Sequence, residues 1–330
     1  MKNPKVTVLM PVYNAENFLE EAIDSILDQS FEDFEFLIID DGSTDRSKKI
    51  ILSYQDPRIR FFENKKNLGV AKTLNRGLRL AKGKYVARMD ADDISLPNRL
   101  ELQFRTLKGD KNLVIISSHF DRINEKGNFI SSFKLAHSSE EIYYELQFRN
   151  CLGHPTVIFD KEIIVNEFGG YNEKYEAEDY DLWLRISKKY KIVKLNKALV
   201  KVRYSRQNKT MLFMKAMGES GIIISQNNLQ SLIGKSIDPS VIKALIPYYP
   251  IHSSPQKIKE ALAVLKETDI KILDNSPSFL DKSIIKKNSD NKKNRLKFAL
   301  IVATLFYSKL GPIFKTLFKI YSFTRTPQLR

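Results

Sequence analysis

The chain has 330 residues, 42% hydrophobic and 28% charged, the balance of an ordinary globular protein with a sizeable core in one large domain or two smaller ones. A single cysteine, Cys151, excludes an intramolecular disulfide framework and suits a reducing compartment. The formal net charge is +15, and residues 282–330 hold twelve Lys and Arg against one acid, Asp290, so +11 of it belongs to the tail. A basic tail on a near-neutral body points to a localised anionic partner. The N-terminus lacks the long apolar stretch of a secretory signal, and no run of about 18 uninterrupted apolar residues suggests a membrane span.

In chain order, "KVTVLM" reads as a buried strand, and Phe18, Ala22, Ile23, Ile26 and Leu27 recur at helical spacing. "EFLIID" is a second strand ending at Asp40, and "GSTDRSKKIILSY" a helix with Ser43 or Thr44 as its N-cap. "IRFFE" is a third strand. "NLGVAKTLNRGLRLAKG" is a helix closed by Gly83 as a C′ glycine. "KYVARM" is a fourth strand, Pro97 opens another helix and "LVIIS" is a fifth strand. Further on come a hairpin turn around Gly127, a short helix over 140–148, a strand in "PTVIFD" and a helix in "EDYDLWLRISKKY". "KIVKL" and "ALVKVRY" read as a closing pair of strands, and helices dominate from Arg206. Such alternation implies βαβ units, hence an α/β fold with a mostly parallel sheet covered on both faces.

Ligands of such sheets bind beyond the carboxyl ends of the strands. Those ends carry Tyr13 and Asn14, Asp40 and Asp41, and the run "DADD" at Asp90–Asp93. Carboxylates gathered there suit a hard divalent cation, which takes oxygen ligands and shares substrate phosphates. No Cys–His set has zinc spacing, and neither GxxxxGK[ST] nor GxGxxG follows a strand. A phosphate-bearing substrate would then be held by metal and side chains. Glu178, Asp179 and Asp181 open a helix, where acids also complement the dipole. Arg88 could touch a phosphate or balance the acids beside it, and His154 is a candidate for the acceptor side.

Three stretches taken together, "VTVLMPVYNAENFLEEAIDSILDQSFEDFEFLIIDDGSTD", "NLGVAKTLNRGLRLAKGKYVARMDADD" and "GGYNEKYEAEDYDLWLR", resemble the inverting glycosyltransferases of family 2, which have the GT-A fold. The resemblance covers Lys5 to about Tyr204. It implies that Pro11, Tyr13 and Glu16 form the nucleotide pocket, with Tyr13 stacking on the base. It implies that Asp41, beside Asp40, accepts a hydrogen bond from uracil, and that Lys72 and Asn75 line the nucleotide and sugar site. "DADD" matches the family's DxD motif: Asp90 would serve the ribose, and Asp92 or Asp93 the metal, Mn2+ or Mg2+. Glu178 and Asp179 match the acidic pair of the acceptor side, with Asp179 the catalytic base. Trp183 and Arg185 also fit the family's pattern there.

The reading is therefore a GT-A catalytic domain over residues 1–205, with a nucleotide-sugar half to about 116 and an acceptor half beyond it. A helical C-terminal region over 206–330 follows. The enzyme would move a sugar from a nucleotide donor, UDP-linked, to a glycan or lipid-linked acceptor in surface-polysaccharide synthesis. In the tail, "NRLKFALIVATLFYSKLGPIFKTLFKIYSF" mixes apolar stretches with lysines, which suits an anionic membrane surface; the alternative is a core helix. The interleaved apolar face disfavours nucleic acid. The expected place is the cytoplasm, peripheral to the inner face of the plasma membrane. Two other functions remain open: a nucleotidyltransferase, or a non-catalytic sugar-nucleotide-binding partner of a glycan-synthesis complex.

Overall fold

The computed structural model describes residues 3–110, 112–134, 138–204, 209–246 and 253–306. Its first half alternates β1 (Val6–Val12), α1 (Leu19–Leu27), β2 (Phe34–Asp40), α2 (Ser47–Ser53), β3 (Ile59–Glu63), α3 (Val70–Leu80) and β4 (Tyr85–Arg88). These four strands pair in the order β3-β2-β1-β4, all parallel, with Val12 opposite Asp40 and Asp40 opposite Glu63. Every β2 side chain is buried, as strands covered on both faces require. α1 buries Leu19, Ala22, Ile23 and Ile26, one stripe of the helix, against Val8, Met10 and Val12 of the same core cluster. Each Leu or Ile withdrawn from water there contributes roughly 2 kcal/mol.

After β4 come β5 (Ile94–Ser95), α4 (Arg99–Leu107), β6 (Leu113–Ile123), β7 (Phe129–Phe133), α5 (Ser139–Leu146), a 3₁₀ turn (His154–Thr156), β8 (Ile158–Asp160), α6 (Lys161–Phe168), α7 (Glu178–Ser187) and β9 (Lys191–Arg203). Here the sheet becomes mixed. β8 runs antiparallel to both β4 and β6, β9 is parallel to β6, and β5 and β7 are antiparallel to their partners. The parallel expectation thus holds for β1 to β4 and gives way to a mixed arrangement in the strands that follow.

Three local expectations need correction. Ser43 and Thr44 cap no helix: α2 starts at Ser47 after Arg46, and the Ser43 hydroxyl goes to Asp40. Gly83 is not a left-handed C′ residue, since α3 ends at Leu80 with Ala81 as its C-cap. A Cβ on Gly83 would meet the Thr7 nitrogen at 2.5 Å, so the glycine allows the chain to pass close against β1. "KIVKL" and "ALVKVRY" form one strand, β9. The exposed Asn196 and Lys197 bulge out where the register passes from Leu195 opposite Ser118 to Ala198 opposite His119.

Two compact units emerge. The first takes residues up to Ile142 and again from Cys151 to Met217. The second takes Tyr143–Asn150 and the chain from Gly218. The long break of this division falls after Met217, and the end of α5 belongs with the helical unit. That unit is built from α8 (Lys209–Ile233), α9 (Pro239–Leu245), α10 (Pro255–Asp274) and α11 (Lys282–Phe306). Tyr143, Tyr144 and Phe148 join Leu229, Ile242, Leu265, Ile285, Leu296 and Ala303 in its core. Asp238 and Ser254 cap α9 and α10 through their side chains, each followed by a proline at the first helical position. The expected tail thus begins as a helix that buries Leu296, Ala299 and Ala303 in the core of this unit, while Phe298 and Ile301 are exposed. The rest of the expected tail, 307–330, lies outside the described residues. No helix among the described residues is long and apolar enough to cross a membrane.

Candidate functional site

The loops after β1 and β2 are tied together. Asn14 stands at a φ of +49°, and its amide donates to the Ser43 hydroxyl at 3.0 Å while its side-chain oxygen accepts from the Thr44 amide at 2.8 Å. Glu16 accepts from the Arg46 amide and guanidinium, each at 3.0 Å, and this arginine holds its carboxyl below the usual range. Asp40 is fully buried; one oxygen accepts from Ser43 and the other, Oδ2, has no hydrogen-bond partner. Asp41 accepts from Asn64 at 2.7 Å, the Leu68 amide at 2.9 Å and the Gly69 amide at 3.0 Å, which fixes the entry to α3. Pro11 lies within β1 opposite Ile39, Tyr13 leaves half of its surface open, and Lys72 is exposed on the first turn of α3.

At the end of β4, carboxylate oxygens of Asp90, Asp92 and Asp93 all lie within 4.8 Å of one another. Burial, with Asp90 alongside, pushes Asp92 up to about 7; burial and both neighbours push Asp93 well above the carboxylate range. Asp93 gives one oxygen to the Arg203 amide at 2.8 Å, and its other oxygen has no hydrogen-bond partner. The buried Arg88 ion-pairs with Asp90; burial opposes its charge and that carboxylate outweighs the opposition. An all-oxygen donor set with unrelieved repulsion and a buried acceptor to spare fits a hard divalent cation.

The acid pair is close by in electrostatic terms. Glu178 and Asp179 are both buried at the start of α7, and Asp179 accepts from the Tyr180 amide at 2.7 Å. His154 sits with Nδ1 3.7 Å from Glu178 and Nε2 3.0 Å from the Tyr171 hydroxyl. Burial, then the nearby Arg88, drives the His154 pKa far below its ordinary value, so the ring is neutral. Arg88 acts on His154 and Tyr171 and is itself stabilised by Glu178 as well as Asp90, so it links the two acidic groups.

Three sequence-chosen residues turn out to have other partners. Trp183 is fully buried against His154, Phe159 and Tyr171. Arg185 spends its guanidinium on Asp181 and on the carbonyls of Phe168 and Gly170, which holds the loop into α7. Asn75 clamps the Tyr171 backbone from both sides, at 2.9 Å each, and reaches Glu173.

Several supporting groups went unnoticed in the sequence. Arg99, fully buried on α4, donates to the Arg88 carbonyl at 2.7 Å, and its neighbour Gln103 donates to the Thr156 carbonyl at 2.6 Å. Together they brace the backbone just before the acidic run and just after His154. Arg203, also buried, donates to the carbonyls of Asp92, Asn124 and Glu125 and pairs with Glu21. Buried arginines at the ends of elements are a signal for such roles, but burial itself was not readable.

Residues 7–164 match the model of glycosyl transferase family 2. The chain is 36% identical over 210 residues to an uncharacterised glycosyltransferase of Methanocaldococcus jannaschii, covering 62% of this chain and 72% of that one. It is 36% identical over 185 residues to the O-antigen biosynthesis glycosyltransferase WbnJ of Escherichia coli, covering 55% and 71%. Two longer Rickettsia relatives are spanned over only 35% of their length. Among solved structures, S. aureus TarS in complex with UDP-GlcNAc aligns over 92% of this chain and 91% of its own, at a TM-score of 0.58 and 18% identity. The mannosyltransferase PcManGT of Pyrobaculum calidifontis, in complex with GDP-Man and Mn2+, aligns over 93% and 87%, at 0.55 and 17%. These likenesses show a shared fold. The chain belongs to glycosyl transferase family 2 and is a glycosyltransferase of the GT-A fold.

Proposed function

We propose that this glycosyltransferase moves a sugar from a UDP-linked donor to a glycan or lipid-linked acceptor, with inversion at the anomeric carbon. The observation that carries the reading is one electrostatic chain. It runs from the Asp90–Asp93 cluster through Arg88 to His154 and the buried pair Glu178–Asp179. TarS, of the same fold, is described with UDP-GlcNAc, and the open ring of Tyr13 offers a face for a base. Asp40 and Asp41 bound that pocket, and Lys72 supplies a cation beside it.

In this mechanism Asp179 takes the proton from the attacking hydroxyl as the new bond forms on the face opposite the leaving group. One base and no covalent intermediate give inversion. Glu178, held beside neutral His154, orients the pair. Asp92, the more open of the two neighbouring acids, would hold Mn2+ or Mg2+ with Asp90, while Asp93 keeps one oxygen on Arg203. When bound, that cation supplies positive charge against the diphosphate. Asn75, Trp183 and Arg185 position the loop and helix that carry the acid pair.

Role and place follow the same reading. WbnJ is named for O-antigen biosynthesis, which supports surface-glycan synthesis at the cytoplasmic face of the membrane. Phe298 and Ile301, exposed beside Lys297 on α11, support docking on an anionic surface.

The test is a screen of nucleotide sugars for metal-dependent turnover, with and without glycan acceptors. Release of a nucleoside diphosphate supports the proposal. Release of pyrophosphate makes the protein a nucleotidyltransferase, and binding without turnover makes it a sugar-nucleotide-binding partner.

A further inference from the structure

The helical unit holds a second polar site unrelated to the strand-end acids. A solvent-open recess there is lined by Lys292, Arg295, Asn288 and Asn291 of α11, Glu145 of α5 and the apolar end of α9. Lys292 is 6% exposed, and its Nζ has no hydrogen-bond partner. Its ammonium lies 4.1 Å over the Phe148 ring, which favours the cation but satisfies none of its three N–H groups. The Asn288 side-chain NH₂ is likewise buried without a partner.

An unsatisfied ammonium and an unsatisfied amide are costly in a protein interior. The acids nearby hydrogen-bond elsewhere. Glu145 supports the Lys292 charge from across the recess, but its hydrogen bond goes to Arg149 at 2.6 Å. Asp269 pairs with Lys293 at 3.0 Å and accepts from Ser289 and from Tyr144. What remains in the recess is a surplus of donors, Lys292, Arg295, Asn288 and Asn291, around an open space. This pattern complements an oxyanion with several acceptor atoms.

We infer that this recess of the helical unit binds a phosphate-type oxyanion through Lys292, Asn288 and Arg295. The inference goes beyond the proposed glycosyl transfer and does not depend on it. The same chemistry could come from free phosphate or from a phosphate ester carried on a larger ligand.

Calorimetric titration of the full chain with inorganic phosphate, and separately with glycerol 3-phosphate, tests it at fixed ionic strength. The wild type should show saturable binding, and Lys292→Met and Arg295→Gln should each weaken it at least tenfold. Lys292→Met keeps the apolar stem on Phe148, and Arg295 is exposed, so at least the second variant keeps its fold. Tighter binding of the ester marks a phosphate on a larger ligand; tighter binding of the inorganic ion marks free phosphate; either supports the site. No saturable binding, or binding unchanged in both variants, overturns it.

Discussion

The two units each contain a buried charge in difficulty, with opposite signs. In the α/β unit, Asp92 is pushed upward by burial and by Asp90, and Asp93 by burial and by both neighbours. In the helical unit, burial pulls Lys292 down to about 8. The acidic cluster is assembled by a loop between a parallel strand and a short antiparallel one, braced by Arg203 from β9. The basic recess is assembled by one face of α11 packed on Phe148. The same cost of desolvation thus points to a cation in one unit and an anion in the other. A partner-seeking charge is a more specific sign of a ligand than a patch of exposed charge.

The largest expected effect breaks the acidic half of that comparison. Asp92→Asn should lower glycosyl transfer by about 10³-fold, roughly 4 kcal/mol of barrier, and flatten its dependence on Mn2+. Nucleoside-diphosphate release against metal concentration reads both.

The next effect separates the basic half. Glu145 and Arg149 near α5, Asp269 of α10 and Arg295 of α11 all face Lys292, and burial dominates them. Below about pH 8 the lysine is protonated in folded and unfolded chains alike, and the folded state carries the burial cost. Between about 8 and the ordinary lysine value the unfolded chain holds more protons, so stability rises with pH and then levels off. The gain is on the order of 3 kcal/mol. Thermal melting across this range should show that rise in the wild type and not in Lys292→Met; the same slope in both contradicts the buried-charge account.

Smaller effects sharpen the comparison. Asn75→Ala removes both clamps on Tyr171 and should destabilise the α/β unit by about 2 kcal/mol, read by urea unfolding. Transfer should fall with it, because the clamped loop leads into Glu178. Ser254→Ala removes the cap of α10 and should cost the helical unit about 1 kcal/mol, with donor turnover unchanged.

Much of the α/β unit was legible because its signals are local. Buried runs such as "EFLIID" and the stripe on α1 declare themselves within ten residues, and the strand-end rule then points to Asp40, Asp41 and Asp90–Asp93. What was not legible was long-range. That Asn75 holds Tyr171, 96 residues away, has no local signal. Trp183 and Arg185 carry the right residue types for a binding surface, yet their partners are aromatic rings and loop carbonyls. Asn196 and Lys197 read as a turn because a bulge within one strand has the same composition. Lys292 sits among many lysines, and only its packing on Phe148 distinguishes it.

The central claim is that the nucleotide and cation are handled at Asp90–Asp93 while the proton leaves at Asp179. Asp179→Asn measured for both nucleoside-diphosphate binding and donor turnover tests it most directly. The account predicts affinity in the presence of Mn2+ within about twofold of wild type and turnover reduced by about 10³-fold or more. Turnover at the wild-type rate would contradict it.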